Sequence, residues 1–155
     1  MFDVLPDKYA SLPLYDYEDR LIFPGMVDLH VHAPQYAFRG MCMDLELMDW
    51  LNRYTFPEEE KYEDLEYAEK AYSMFVDALK TGATTRACIF ATRHRPATEL
   101  LMQLMEESGL VSYVGKVNMD REASDALVEA GADISAFTTF GWINAVKDRF
   151  CRTKP

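Results

Sequence analysis

Histidine is scarce in this 155-residue chain, which has three. Cysteine is equally scarce: Cys42, Cys88 and Cys151 lie far apart, and no Cys-x-x-Cys occurs. The odd count and wide spacing give no disulfide framework and suit a reducing compartment. Basic residues are outnumbered, 16 Lys and Arg against 26 Asp and Glu, for a net charge of −10. That balance argues against nucleic acid or an anionic membrane as partner, since both attract basic patches. It leaves a small neutral ligand open. No apolar run approaches a membrane span, and the first residues lack the basic start and apolar block of a secretory signal. Cytoplasmic residence is therefore the expectation. Hydrophobic residues make up 49% of the chain, enough at this length for one sizeable core.

Two of the three histidines sit two apart, in Phe23-Pro24-Gly25-Met26-Val27-Asp28-Leu29-His30-Val31-His32-Ala33-Pro34-Gln35-Tyr36-Ala37-Phe38-Arg39-Gly40. Pro24 and Gly25 punctuate the entry to a run that is apolar at Met26, Val27, Leu29 and Val31, the pattern of a buried strand. Side chains alternate across a strand, so His30 and His32 share a face and two imidazoles there can converge on one metal ion. Pro34 ends the strand, because proline removes a ladder donor and restricts its predecessor. Gln35 then falls on the loop beyond the histidines, with an amide that both donates and accepts. His-x-His alone is common. Its place here is more specific, because the C-terminal end of an apolar strand is where a parallel barrel carries its catalytic groups.

The rest of the chain alternates helix and strand. Residues 1–20 show no periodicity and read as an irregular or edge-strand lead-in. Asp44 is placed to cap a short helix presenting Leu47, Trp50, Leu51 and Tyr54, with Pro57 as its end. Glu58-Glu59-Glu60 reads as a solvated face. Asp64 caps a longer helix whose Leu65, Ala68, Tyr72, Phe75, Val76 and Leu79 recur mostly at steps of three and four, with Gly82 as its stop. Thr84 to Ala91 reads as a second strand. Thr98 is placed to cap a helix with Leu101, Leu104 and Met105, closed by Gly109, and Val111 to Val117 reads as a third strand. His94 reads as a loop histidine on the same rim as His30 and His32. Residues 124–132 are helical by composition, and Phe137, Phe140, Ile143, Val146 and Phe150 form a loose helical stripe. Strand, helix, strand, helix, strand is the grammar of an α/β protein with a parallel βα array.

The pattern Pro-Gly-hydrophobic-hydrophobic-Asp-x-His-x-His resembles the first barrel strand of the amidohydrolase superfamily. The extension from His32 to Gly40 is similar, more narrowly, to the guanine deaminases of that superfamily. So are Asp49-Trp50-Leu51-Asn52, the run from Tyr54 to Glu59, Gly82-Ala83-Thr84-Thr85, Phe90-Ala91-Thr92 and the run from Val114 to Asp120. The resemblance runs from about Leu21 to the end of the chain. It implies the first three βα units of a (β/α)₈ barrel over residues 21–155, preceded at 1–20 by a lead-in from a small β domain that is mostly absent. A complete barrel takes about 250 residues, so the chain is expected to be the front part of an enzyme. An open sheet edge is expected where a fourth strand would pair.

The resemblance also implies the chemistry. His30 and His32 would be zinc ligands, and His32, Ala33, Pro34 and Gln35 would meet the substrate, guanine. Gln35 would hydrogen-bond the polar edge of the base, and Trp50 and Tyr54 are candidates for a purine pocket. The family's other ligands, two histidines and an aspartate, its proton-shuttling glutamate and its purine-gripping arginine belong to later strands, so no catalytic residue is assigned here. His94 is outside the ligand pattern. The intact family enzymes are expected to be homodimers. Cytidine-type deaminases use His-x-Glu with Pro-Cys-x-x-Cys, and none of the three histidines has a glutamate two residues on. Two alternatives stay open: an amidohydrolase acting on another nucleobase or a triazine, and a non-catalytic βα fragment.

Overall fold

A computed structural model describes Tyr9, residues 11–119 and residues 123–128. Among them is a three-stranded parallel sheet, ordered β1-β2-β3, with β1 Met26–His32, β2 Thr84–Phe90 and β3 Val111–Gly115. The α/β expectation holds. Residues 11–25 contain turns and no strand, and residues 124–128 form a turn rather than the start of a helix. The remainder of that expected helix and the stripe from Phe137 to Phe150 lie outside the described residues.

The core lies between the sheet and two helices, α3 Leu65–Thr81 and α4 Arg95–Ser108. Asp64 caps α3 as expected, its carboxylate accepting the Glu66 amide at 2.9 Å. The apolar stripe then buries Ala68, Tyr72, Phe75 and Val76. Full burial of one such large side chain contributes about 1.5–3 kcal/mol. Gly82 ends the helix in an extended conformation rather than a left-handed one. In α4, Leu101 and Met105 are fully buried against Ala87, Ile89 and Val114 of the sheet, and Gly109 closes the helix at φ +74°. Thr98 is not its cap. The helix begins four residues earlier than that cap implies, with His94 at the N-cap and proline in the first turn, where a missing N–H costs nothing. The Thr98 hydroxyl instead donates to the carbonyls of Thr92 and His94, both at 3.1 Å.

Between the histidine strand and α3 the chain stays helical longer than its proline suggests. A short α1 Leu47–Trp50, with Glu46 rather than Asp44 at its N-cap, runs into a π turn at Leu51–Thr55 and then α2 Phe56–Glu60. Pro57 does not end this path. It sits in the first turn of α2, after the wider π turn has re-registered the backbone. The re-registration also turns the acidic run inward: Glu58 is 7% exposed and Glu59 2%. The solvated reading fails for both. Glu58 keeps partners in Lys61, at 2.7 Å, and the Tyr67 hydroxyl. Burial pushes the Glu59 carboxyl up to about 7, against a smaller lowering by the Thr92 hydroxyl beside it, with Glu58 adding to the rise.

β1 is less buried than its apolar sequence implies. Met26, Val27 and Leu29 are exposed, because β1 is an edge strand and only Val31 reaches the core cluster. Its glycine is nonetheless crowded. A Cβ on Gly25 would lie 2.2 Å from Thr85 Oγ1 and 2.8 Å from Thr85 Cβ on the neighbouring strand. We predict that Gly25→Ala lowers stability by about 1–3 kcal/mol, whereas Gly115→Ala, with nothing within 4 Å of the added methyl, leaves it nearly unchanged. Urea unfolding of the two variants checks this.

A second prediction concerns pH. A carboxyl whose folded pKa is raised binds its proton more tightly folded than unfolded, so its stabilisation is complete below about 4.5 and falls as pH rises towards 7. Glu59→Gln should therefore match the native chain near pH 4.5 and exceed it at pH 8, by on the order of 2–4 kcal/mol. Denaturant midpoints at the two pH values measure it.

Candidate functional site

β1 and β2 place the histidine pair. The parallel register sets Asp28 opposite Ala87, Val31 opposite Ile89 and His32 opposite Phe90, with one extra β1 residue between Asp28 and Val31. Such a bulge re-aims the side chains around it. The Asp28 carboxylate takes the His30 amide N–H at 3.0 Å, which holds the irregular turn of backbone. Phe90 forms the floor, its ring centroid 4.6 Å from that of His30 and 4.9 Å from that of His32, the latter stacked at 17°.

On this floor the two imidazoles converge as their spacing implies, with Nε2 of His30 3.1 Å from Nε2 of His32. Two nitrogens on one tetrahedral zinc, each about 2.0–2.1 Å from it, would lie roughly 3.3 Å apart. The pair fits two positions of such a set. Burial lowers the pKa of His32 and the adjacent His30 lowers it further, so the neutral ring with a free lone pair is favoured. Among the described residues no group of three or more His, Cys, Asp or Glu side chains is placed to hold a metal ion. His94 does not join the pair. It stands at the α4 N-cap, half-buried, with its pKa lowered first by burial and then by Arg93.

A cleft of about 660 Å³ opens over the histidines. Gln35 lines it, as do Trp50, Leu47 and Leu51 from the α1 side. Ala33 and Pro34 do not reach it. Ala33 is 1% exposed, its N–H given to the Phe90 carbonyl at 3.0 Å, and Pro34 is buried with its carbonyl accepting from Tyr62. They shape the turn that carries Gln35. Trp50 is also held by its indole N–H, which donates to the Met41 carbonyl at 3.3 Å. Tyr54 is absent from the lining and meets the Cys42 thiol, which raises its pKa. Tyr36 and Arg39, part of the His32 to Gly40 stretch but given no role from the sequence, also line the cleft; the Arg39 guanidinium lies 3.9 Å over the Tyr36 ring. Phe90 lies in a run that resembles the family, but its place under the histidines follows from strand pairing and has no local signal. The arrangement offers two imidazole nitrogen donors, one bifunctional amide and flat aromatic walls. That suits a metal beside a planar polar ring.

No helix among the described residues is long and apolar enough to cross a membrane. The guanine deaminase of Dictyostelium discoideum is 43% identical over 114 residues, covering 74% of this chain and 25% of that protein. That of Escherichia coli is 38% identical over 125 residues, covering 81% and 28%. The crystal structure of a guanine deaminase from C. acetobutylicum, with guanine bound in its active site, matches with a TM-score of 0.81 at 40% identity, over 97% of this chain and 35% of that one. The chain thus spans about a quarter of the length of the curated relatives it matches. A family model described as the amidohydrolase family matches residues 21–149, and the chain belongs to that family.

Proposed function

We propose that this chain is the N-terminal part of a guanine deaminase-type hydrolase, which replaces the ring amino group of guanine by water to give xanthine and ammonia. The observation that carries the reading is the convergence of His30 and His32 Nε2 at 3.1 Å under a cleft shared with Gln35 and Trp50. Similarity to guanine deaminases over 74% and 81% of the chain supports it. The cofactor we assign is zinc, held by His30 and His32 with ligands from later strands of a closed (β/α)₈ barrel. When bound, it supplies the Lewis acidity that activates water near neutral pH.

The chain's own residues supply position and selectivity. Gln35 offers both a donor and an acceptor to the polar edge of the base, and a wrong base would leave one of them unpaired. Ala33 and Pro34 set its position from beneath, and His32 borders both metal and base. Trp50 and Tyr36 give the planar ring apolar walls. Phe90 shields the histidines on one side. Residues 1–20 act as the lead-in from a small β domain, and the whole enzyme is a cytoplasmic homodimer. Taken alone, the chain is a non-catalytic βα module, because two histidines are fewer than the three protein ligands a catalytic zinc needs.

Two outcomes test this. Titrated against a chromophoric chelator, the 155-residue chain should bind zinc weakly, and His30→Ala should remove what binding there is. A tight one-to-one site that survives His30→Ala would overturn the ligand assignment. In a hybrid carrying the later strands of a close relative, guanine should be converted to xanthine, and His32→Ala should remove metal and turnover together. Gln35→Ala should keep zinc and lose about two- to tenfold in rate, the worth of one neutral hydrogen bond. A hybrid that binds zinc but prefers another nucleobase or a triazine would move the substrate assignment.

A further inference from the structure

Among the described residues, Arg39 is the one permanent charge lining the cleft over the histidines. The other side chains there are imidazole, amide, aromatic or apolar, with no carboxylate. Carboxylates are plentiful in the chain, 26 against 16 Lys and Arg. The ion pairs among the described residues are Lys61 with Glu58, Lys80 with Asp77 and Arg95 with Glu99, and Arg39 belongs to none of them. Its guanidinium lies instead 3.9 Å over the Tyr36 ring. That ring is itself anchored, meeting the buried Phe75 edge-on at 5.7 Å. The backbone is tied as well: Arg39 follows the short 3-10 helix Pro34–Phe38 and donates its N–H to the Tyr36 carbonyl at 3.4 Å. The side chain is exposed. A planar fork of five donors is thus set on a fixed platform at the cleft.

Such a group selects its ligand. It donates only and never loses its charge, so it gains nothing from an amino group and most from an anion. A charge-assisted hydrogen bond is roughly twice as strong as a neutral one, and a guanidinium stacked on one ring suits a flat ligand on its other face. Guanine is neutral at physiological pH. Its deamination product is more acidic: xanthine carries ring N–H groups flanked by carbonyls and is partly a monoanion just above neutrality. On the strength of the guanine reading, we propose that Arg39, stacked on Tyr36, is the contact in this cleft for the monoanion of an oxopurine, and so favours the ionised product over a neutral purine. Neutral purines are left to Gln35 and the aromatic walls.

The test is binding of xanthine, and of hypoxanthine as a neutral oxopurine, to the 155-residue chain at pH 8, followed by NMR shifts of the Gln35 side-chain amide. Arg39→Gln should weaken xanthine about three- to tenfold, the worth of one partly exposed charged contact, and leave hypoxanthine nearly unchanged. Arg39→Lys keeps the charge and loses the stacked fork, and should fall between. Added salt should narrow the native preference for xanthine. Equal weakening of the two bases by Arg39→Gln, or of neither, overturns the role given to Arg39. Inorganic phosphate that binds as tightly as xanthine overturns the choice of a flat purine anion. Binding of neither base to the chain overturns the proposal as well, while turnover by the hybrid decides the guanine reading separately.

Discussion

The pairing of β1 with β2 is the constraint on which the rest depends. Among the described residues, the only side-chain hydrogen bond of either imidazole is to the other. They are aimed by a bulged strand whose extra residue is absorbed through Asp28, and they rest on Phe90, a residue of the next strand. Slipping that register by one would turn Phe90 to the opposite face of the sheet and remove the floor. The crowded approach of Gly25 to Thr85 marks the same pairing at its other end. A wide, flexible seam could not hold two Nε2 atoms at 3.1 Å.

The second layer, α3 and α4, stabilises this seam by ordinary apolar burial, but α1 and α2 serve differently. They form a wall, Leu47, Trp50 and Leu51, whose inner end carries buried glutamates. A carboxyl buried at Glu59 costs stability above neutral pH, and the chain retains it where α2 meets the turn after β2. Such polar groups fix one arrangement among apolar alternatives when all are satisfied.

Much of this was legible in the residues. Period-two spacing put His30 and His32 on one face, and the steps of three and four with Asp64 gave α3, because both signals are local. The α/β order followed from the same periodicities. What escaped depended on context. The acidic run at Glu58 and Glu59 reads as solvated until the π turn at Leu51–Thr55 rotates it inward, and a π turn leaves no mark on a 3.6-residue pattern. Thr98 and Pro96 both signal a helix start, and the proline won because its fixed φ suits the first turn. The exposure of β1 and the placement of Phe90, Tyr36 and Arg39 rest on strand pairing and tertiary contact, for which no short stretch of sequence carries a signal.

The central claim is that this histidine pair is one half of a metal site facing a purine. Anomalous diffraction at the zinc edge, on crystals of a hybrid carrying the later strands and soaked with guanine, tests it most directly. The account predicts an anomalous peak within bonding distance of both Nε2 atoms, with the base in the cleft against Trp50 and its polar edge on Gln35. A metal bound away from His30 and His32, or a base seated outside that cleft, would contradict it.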